Sequence, residues 1–275
     1  MSAAPTLQSF IAGRWLGQHG AHALRSALDG HTLAYSHEER PDFAEAVDFA
    51  RQRGLPSLMG MDFQQRAARL KAIALYLAER KEQLYALSHH SGATRADSWI
   101  DIEGGNATLF SYAGIGSREL PSGNVLHEGP AMALGKLGHF AGTHILVPRA
   151  GVAVHINAFN FPIWGMLEKF APTFLAGMPC IVKPATSTSY LTEAVVRLMH
   201  DSGLLPVGSL QLVLGSTGDL LARLPGQDLV TFTGSADTAA KPRVTPHLIR
   251  TSVPFPADAP SLHCALPAPD VTPAP

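Results

Sequence analysis

Between Gly151 and Thr233 the chain breaks into short apolar runs separated by helical stretches, and that alternation restricts the fold more than any other feature. Gly151 to Ile156, Cys180 to Lys183, Ser209 to Leu214 and Leu229 to Thr233 read as strands. They are almost continuously apolar, as strands covered on both faces must be. Gly165 to Leu175, Tyr190 to His200 and Thr217 to Leu224 read as the helices between them. Strand and helix in alternation imply right-handed crossovers. The expected fold class is therefore α/β, a Rossmann-like parallel sheet with flanking helices that binds its ligand at the carboxyl ends of the strands.

Upstream, residues 41–53 and 62–90 carry helical periodicity, with Phe63, Ala67, Leu70, Ala74, Leu77, Leu84 and Leu87 near one face. Asp62 is the expected N-cap, with Gln65 three residues on, and Gly92 the expected stop. Arg66, Arg69 and Lys71 are expected to form a solvated face. Residues 101–145 are glycine-rich and predict a shorter helix followed by extended segments. Nine of the 21 prolines then fall between Pro242 and Pro275. Proline supports neither helix continuation nor sheet hydrogen bonding, so this last stretch is expected to be poorly ordered or only partly docked.

A hydrophobic content of 46% over 275 residues is ample for a substantial core. A net charge of -1 provides no polybasic field, which argues against nucleic acid and against an anionic membrane surface as partners. The N-terminus has no basic region leading into a secretory apolar run, and no segment offers about 18 uninterrupted apolar residues, so a cytoplasmic protein is expected. Cys180 and Cys264 form neither a disulfide framework nor a metal-ligand spacing. The histidines His89, His90, His139, His144 and His155 include no His-x3-His pair, which argues against zinc.

Four clusters follow the strand ends: Ala158 to Pro162 (AFNFP), Lys183 to Thr186 (KPAT), Gly215 to Gly218 (GSTG) and Phe232 to Ser235 (FTGS). Each puts small or hydrogen-bonding residues where backbone N–H groups and a helix dipole favour phosphate, although glycine and serine also serve simply to make turns. In order and spacing these clusters resemble the aldehyde dehydrogenase superfamily, and the resemblance covers nearly the whole chain. Through IAGRW, DFQQRAARLKA, SGATRADSWIDIEGG, LPSGNV, HINAFNFPIWG and FTGSADTAAK it is closer to one branch. That branch is the aldehyde dehydrogenase half of the bifunctional ring-opening enzymes of phenylacetate degradation, with the semialdehyde dehydrogenases of the aerobic benzoyl-CoA pathway nearly as similar.

The resemblance implies that Asn160 donates its amide to the oxyanion of a tetrahedral intermediate, the other reading being that Asn160 caps a turn before Pro162. It implies that Lys183 holds the adenosine ribose and that Gly234 and Ser235 face the cofactor pyrophosphate. Phe159, Gly215, Gly218 and Phe232 complete the expected cofactor site. NAD-preferring relatives carry a glutamate three residues after the lysine, where this chain has Thr186. Without that carboxylate a 2′-phosphate is not repelled, so NADP is expected as cofactor, with NAD as the alternative.

The family reaction also needs a cysteine thiolate and a glutamate that activates water. Asp258 stands where close relatives carry the glutamate and is one methylene shorter, while Pro260 and His263 replace expected acidic and amide residues. Cys180, at the start of a buried strand, reads as an inert hydrophobe, and Cys264 as an interior strand position next to His263. The family nucleophile lies beyond Pro275, and the proline-rich ending suggests a drifted or frame-shifted remnant. Residues 1–241 are thus expected to be a cofactor-binding domain, with an oligomerisation hairpin within 122–156 as in homo-oligomeric relatives, and 242–275 a remnant of the catalytic domain. The expected substrate is a small-molecule aldehyde, a CoA-linked semialdehyde by branch resemblance, with little turnover by this chain alone. The alternatives are a non-catalytic nucleotide-binding or assembly module and a pseudogene product.

Overall fold

The structure, a computed structural model, describes residues 4–37 and 39–259. Its centre is a seven-stranded sheet in the order Ala257–Asp258, Leu229–Thr233, Ala153–Ile156, Cys180–Lys183, Leu210–Leu212, Ser9–Ile11 and Arg14–Leu16. The first five strands run parallel, as the sequence predicts for four of them. Ser9–Ile11 then adds antiparallel to Leu210–Leu212, and Arg14–Leu16 turns back beside it, so the sheet is mixed. From Ala153–Ile156 the chain winds outward to Leu210–Leu212, then returns to lay Leu229–Thr233 against the opposite side of its first strand. That reversal is a topological switch point, where helices depart to opposite faces and leave a crevice at the carboxyl rim.

Alternation along the strands divides the interior into two cores. Ala153, Cys180, Val182, Leu210 and Leu212 pack with the helices Phe63–Ala78, Gly105–Arg118, Trp164–Leu175 and Ser189–Asp201. Val154, Ile156, Ile181, Val230 and Phe232 point the other way, towards the helices Phe43–Phe49 and Ala236–Arg243. The long helix begins with the expected capping box: Gln65 N–H donates to Asp62 Oδ1 at 2.8 Å, and Asp62 N–H to Gln65 Oε1 at 2.9 Å. Gly92 closes the helical segment at φ 84, a conformation that favours glycine.

Arg66 departs from expectation. It is fully buried, with Nε donating to the Leu175 carbonyl at 2.8 Å and Nη1 to the carbonyls of Leu58 (2.9 Å) and Met61. The guanidinium therefore donates to carbonyls where two helices end, at the negative pole of each dipole, and the Leu58 carbonyl also accepts Met61 N–H at 3.1 Å. Arg69 and Lys71 are exposed as expected.

The expected helix Thr217 to Leu224 contracts to a 3₁₀ turn, Leu220–Arg223. Gly215 and Gly218 both take positive φ, and a Cβ on Gly218 would lie 2.6 Å from the Phe43 ring. The proline-rich stretch is a second correction as far as residue 259. Helix Ala236–Arg243 runs through Pro242, and helix Pro246–Arg250 starts on a proline, where no N–H is needed. Val230, Phe232 and Gly234 then donate to the carbonyls of Pro254, Pro256 and Asp258 at 3.0, 3.1 and 3.2 Å. Proline lacks a donor but keeps its acceptor, so alternate prolines serve an edge strand whose carbonyls face inward. Pro260, His263 and Cys264 lie outside the described residues.

Residues 126–146 form two short antiparallel ladders, Leu126–His127 with Ile145–Leu146 and Met132–Leu134 with Phe140–Gly142. Leu137 and Phe140 on this arm are 80% and 74% exposed. Among the described residues no helix is long and apolar enough to cross a membrane.

Arg66→Met leaves the Leu175 and Met61 carbonyls without a donor and is expected to cost about 3 kcal/mol in urea unfolding. Arg69→Ala is expected to stay within about 0.5 kcal/mol of wild type.

Candidate functional site

The carboxyl ends of three adjacent strands open into a cleft of about 690 Å³. Register decides what stands there: Ile156 is level with Phe232 on one side and with Lys183 on the other. Beyond these rungs the chain supplies Asn157 through Asn160, Lys183 and Ala185, and Phe232 through Ser235, with Asp258 from the edge strand. Seven of the expected site residues thus share one cleft: Phe159, Asn160, Lys183, Phe232, Gly234, Ser235 and Asp258. Thr186, Gly215 and Gly218 do not line it. Thr186 starts the 3₁₀ turn Thr186–Thr188 just past Ala185, and the two glycines follow the next strand outward.

A smaller lobe of about 240 Å³ adjoins the cleft and is lined by Phe161, Trp164 and Glu168 among others. Ala158, Asn160, Thr233 and Asp258 border both lobes. Asn160 and Asp258 therefore stand at the junction of two spaces, one larger and one smaller. Asn160 is exposed, and its amide makes no hydrogen bond among the described residues, so no turn is capped by it.

Lys183 Nζ likewise has no hydrogen bond or ion pair among the described residues. Burial holds its amine below the ordinary lysine value. Ser235 caps helix Ala236–Arg243, its Oγ accepting from Thr238 N–H at 3.2 Å, which aims the start of that helix at the cleft. Gly234 has to be small here, because a Cβ would lie 2.9 Å from the Phe232 ring.

Sequence reasoning passed over Asn157 and Thr233. Both amide atoms of Asn157 and the hydroxyl of Thr233 are buried without a hydrogen-bond partner among the described residues. Polar residues immediately after buried apolar strands were the available signal. Beneath the rim, His155 is 1% exposed between Thr231 Oγ1 at 2.7 Å and Thr173 Oγ1 at 3.2 Å, and burial pushes its pKa down to about 3. It is a neutral core histidine. Cys180 is 1% exposed and burial pushes its thiol pKa up, so it is a packing residue, as expected.

The sequence model of the aldehyde dehydrogenase family matches residues 20–244. The chain is 40% identical over 269 residues to a 3,4-dehydroadipyl-CoA semialdehyde dehydrogenase of Aromatoleum evansii, covering 97% of this chain and 52% of that relative. Its fold matches a betaine aldehyde dehydrogenase of Staphylococcus aureus in complex with NAD+ with a TM-score of 0.77 at 19% identity, over 92% of this chain and 50% of the other. It also matches a 3,6-anhydro-L-galactose dehydrogenase in complex with NADP with a TM-score of 0.77 at 21% identity, over 92% and 52%. The chain spans about half the length of these relatives. With most of its residues inside the family pattern and its strands in the family's arrangement, the chain belongs to the aldehyde dehydrogenase family.

Proposed function

We propose that the cleft binds a nicotinamide cofactor, NADP in preference to NAD, and that the protein takes part in oxidation of a CoA-linked semialdehyde to its acid. The observation that carries this reading is the convergence of unpartnered Lys183, Asn157, Thr233 and Asn160 on one crevice at the switch point of a parallel sheet. Partner-free polar groups in a cleft of ligand size fit a polar, phosphorylated guest. In this reading Lys183 holds a ribose or its phosphate, and Gly234 and Ser235 offer a capped helix start to the pyrophosphate. Thr186, next to the lining residue Ala185, puts no carboxylate beside the cleft to repel a 2′-phosphate. Bound there, the cofactor supplies a hydride acceptor.

Asn160 then donates its amide N–H to the developing oxyanion, a fixed neutral donor whose work is greatest in a water-poor site. Asp258, across the junction, accepts a proton from water. The CoA-linked semialdehyde is supported by the Aromatoleum evansii relative, and phenylacetate catabolism by the branch motifs. Cys180 is the one cysteine among the described residues, and it is enclosed in the sheet. This chain is assigned to nucleotide binding with negligible turnover, since no cysteine lines the cleft among the described residues.

Equilibrium titration with both cofactors is expected to give NADP the lower Kd; tenfold tighter NAD binding would refute the preference. Purified chain mixed with NADP and a semialdehyde is expected to show no steady oxidation, and turnover near the ordinary enzyme value of about 10 per second would refute the assignment.

A lysine whose folded value is lowered costs stability while charged, and that cost disappears as pH rises through the folded value towards the ordinary one. Lys183→Met is therefore expected to keep or raise the urea midpoint at neutral pH while weakening NADP binding by about tenfold or more. Equal loss of stability and binding would mark Lys183 as a packing residue instead.

The exposed arm of residues 126–146 favours a further role in assembly, with the apolar side chains of Leu137 and Phe140 as contacts between copies. Phe140→Asp is expected to lower the mass measured by light scattering, and an unchanged mass would remove that role.

A further inference from the structure

Helix Trp164–Leu175 starts four residues after Asn160, and its own N-cap residue, Ile163, makes no side-chain cap. The missing acceptor comes from elsewhere. Ile163 and Trp164 both donate their backbone N–H to Asp101 Oδ1, at 3.0 and 2.7 Å, across more than sixty residues of chain. Asp101 is 4% exposed and belongs to a π-helical turn, Ile100–Gly104, between helices Arg95–Trp99 and Gly105–Arg118. Such wide turns re-aim side chains and recur at functional positions.

The same turn presses on the same point of the chain. A Cβ on Gly105 would lie 2.8 Å from Trp164 Cα, and one on Gly104 would lie 3.0 Å from the Trp164 indole. Two glycines and one carboxylate thus grip the junction between the Asn160 turn and the helix behind it. Pro162, with its fixed φ, leaves little slack between grip and turn.

We infer that Asp101 is a positioning residue: its carboxylate fixes Ile163 and Trp164, and through them the place of Asn160 at the junction of the two lobes. That Asn160 meets a carbonyl oxygen rests on the proposed function; the grip on Trp164 does not. A carboxylate suits the position because one oxygen can accept from two donors at the positive end of a helix dipole. Burial opposes it, pushing its pKa up to about 6 despite the two N–H donors. The folded value lies above the ordinary 3.8, so this group's contribution to stability is greatest below 3.8 and falls as pH rises through about 6.

Charged groups on the packed elements are otherwise engaged. Lys81 pairs with Glu103, Arg95 with Glu82, and Lys169 with Glu168. Asp97 is bonded to Thr94, and Arg118 lies at the far end of its helix, about 20 Å along at 1.5 Å per residue. His89 and His90 directly follow helix Lys81–Ser88, which packs on the same turn, so the part of the titration that Asp101→Asn removes is the part that belongs to Asp101.

The test uses the full chain carrying Trp15→Phe and Trp99→Phe, which leaves Trp164 as its fluorophore. Emission is expected to change with a midpoint near pH 6, and Asp101→Asn, which keeps the Oδ1 acceptor without the charge, is expected to abolish that transition. Because the turn held through Trp164 carries Phe159 and Asn160 into the lining of the cleft, Asp101→Ala is expected to weaken NADP binding by about tenfold, with Asp101→Asn restoring it to within about twofold. A pH transition that persists in Asp101→Asn, or a folded Asp101→Ala chain that binds NADP like its parent, overturns the inference. If Asp101→Ala does not fold, the transition in Asp101→Asn still decides. A parent chain that binds no NADP overturns the cofactor reading alone, since the Trp164 transition is measured without nucleotide.

Discussion

Everything at the cleft depends on the register between Ala153–Ile156 and Leu229–Thr233, and that register is fixed at the opposite end of the strands. Asp228, with a fully buried carboxylate, accepts Val152 N–H at 2.8 Å and takes both oxygens to Arg51 at 2.8 Å. Gly151 lets the two strand starts approach, for a Cβ there would lie 2.0 Å from the Gln227 carbonyl. A buried acid in this position tolerates no slip. A shift of one residue would exchange the two cores and carry Asn157 and Thr233 off the rim together.

The sequence disclosed most where one physical rule acted alone. Asp62, Gln65 and Gly92 mark helix ends through local hydrogen bonding and backbone preference, so they could be read without knowing any neighbour. The buried parallel strands were legible for the same reason, as was the convergence of their turns. Arg66 was misread because charge was weighed above position: Phe63, Ala67 and Leu70 surround it on the buried face, and its acceptors come from Leu58, Met61 and Leu175. No pattern local to residue 66 announces carbonyls at 175.

The same division runs through the site. Lys183, Gly234 and Ser235 follow strands directly, and their placement is a consequence of topology. Gly215 and Gly218 also follow a strand, yet that strand lies one place further from the switch point, and Gly218 is used to admit Phe43. The three-residue strands Ser9–Ile11 and Arg14–Leu16 are too short to show alternation, so the antiparallel edge of the sheet was hidden from any periodicity. Prolines 254 and 256 looked like breakers because their missing donors were counted and their acceptors were not.

One rung of that last ladder joins two parts of the site. Gly234 N–H donates to the Asp258 carbonyl at 3.2 Å, so the turn that opens helix Ala236–Arg243 and the residue bearing the edge-strand acid share a bond. The turn cannot be drawn towards a guest without pulling on the backbone of the acid. Any displacement of that turn is thereby carried to Asp258 through a single amide, with no moving domain between them.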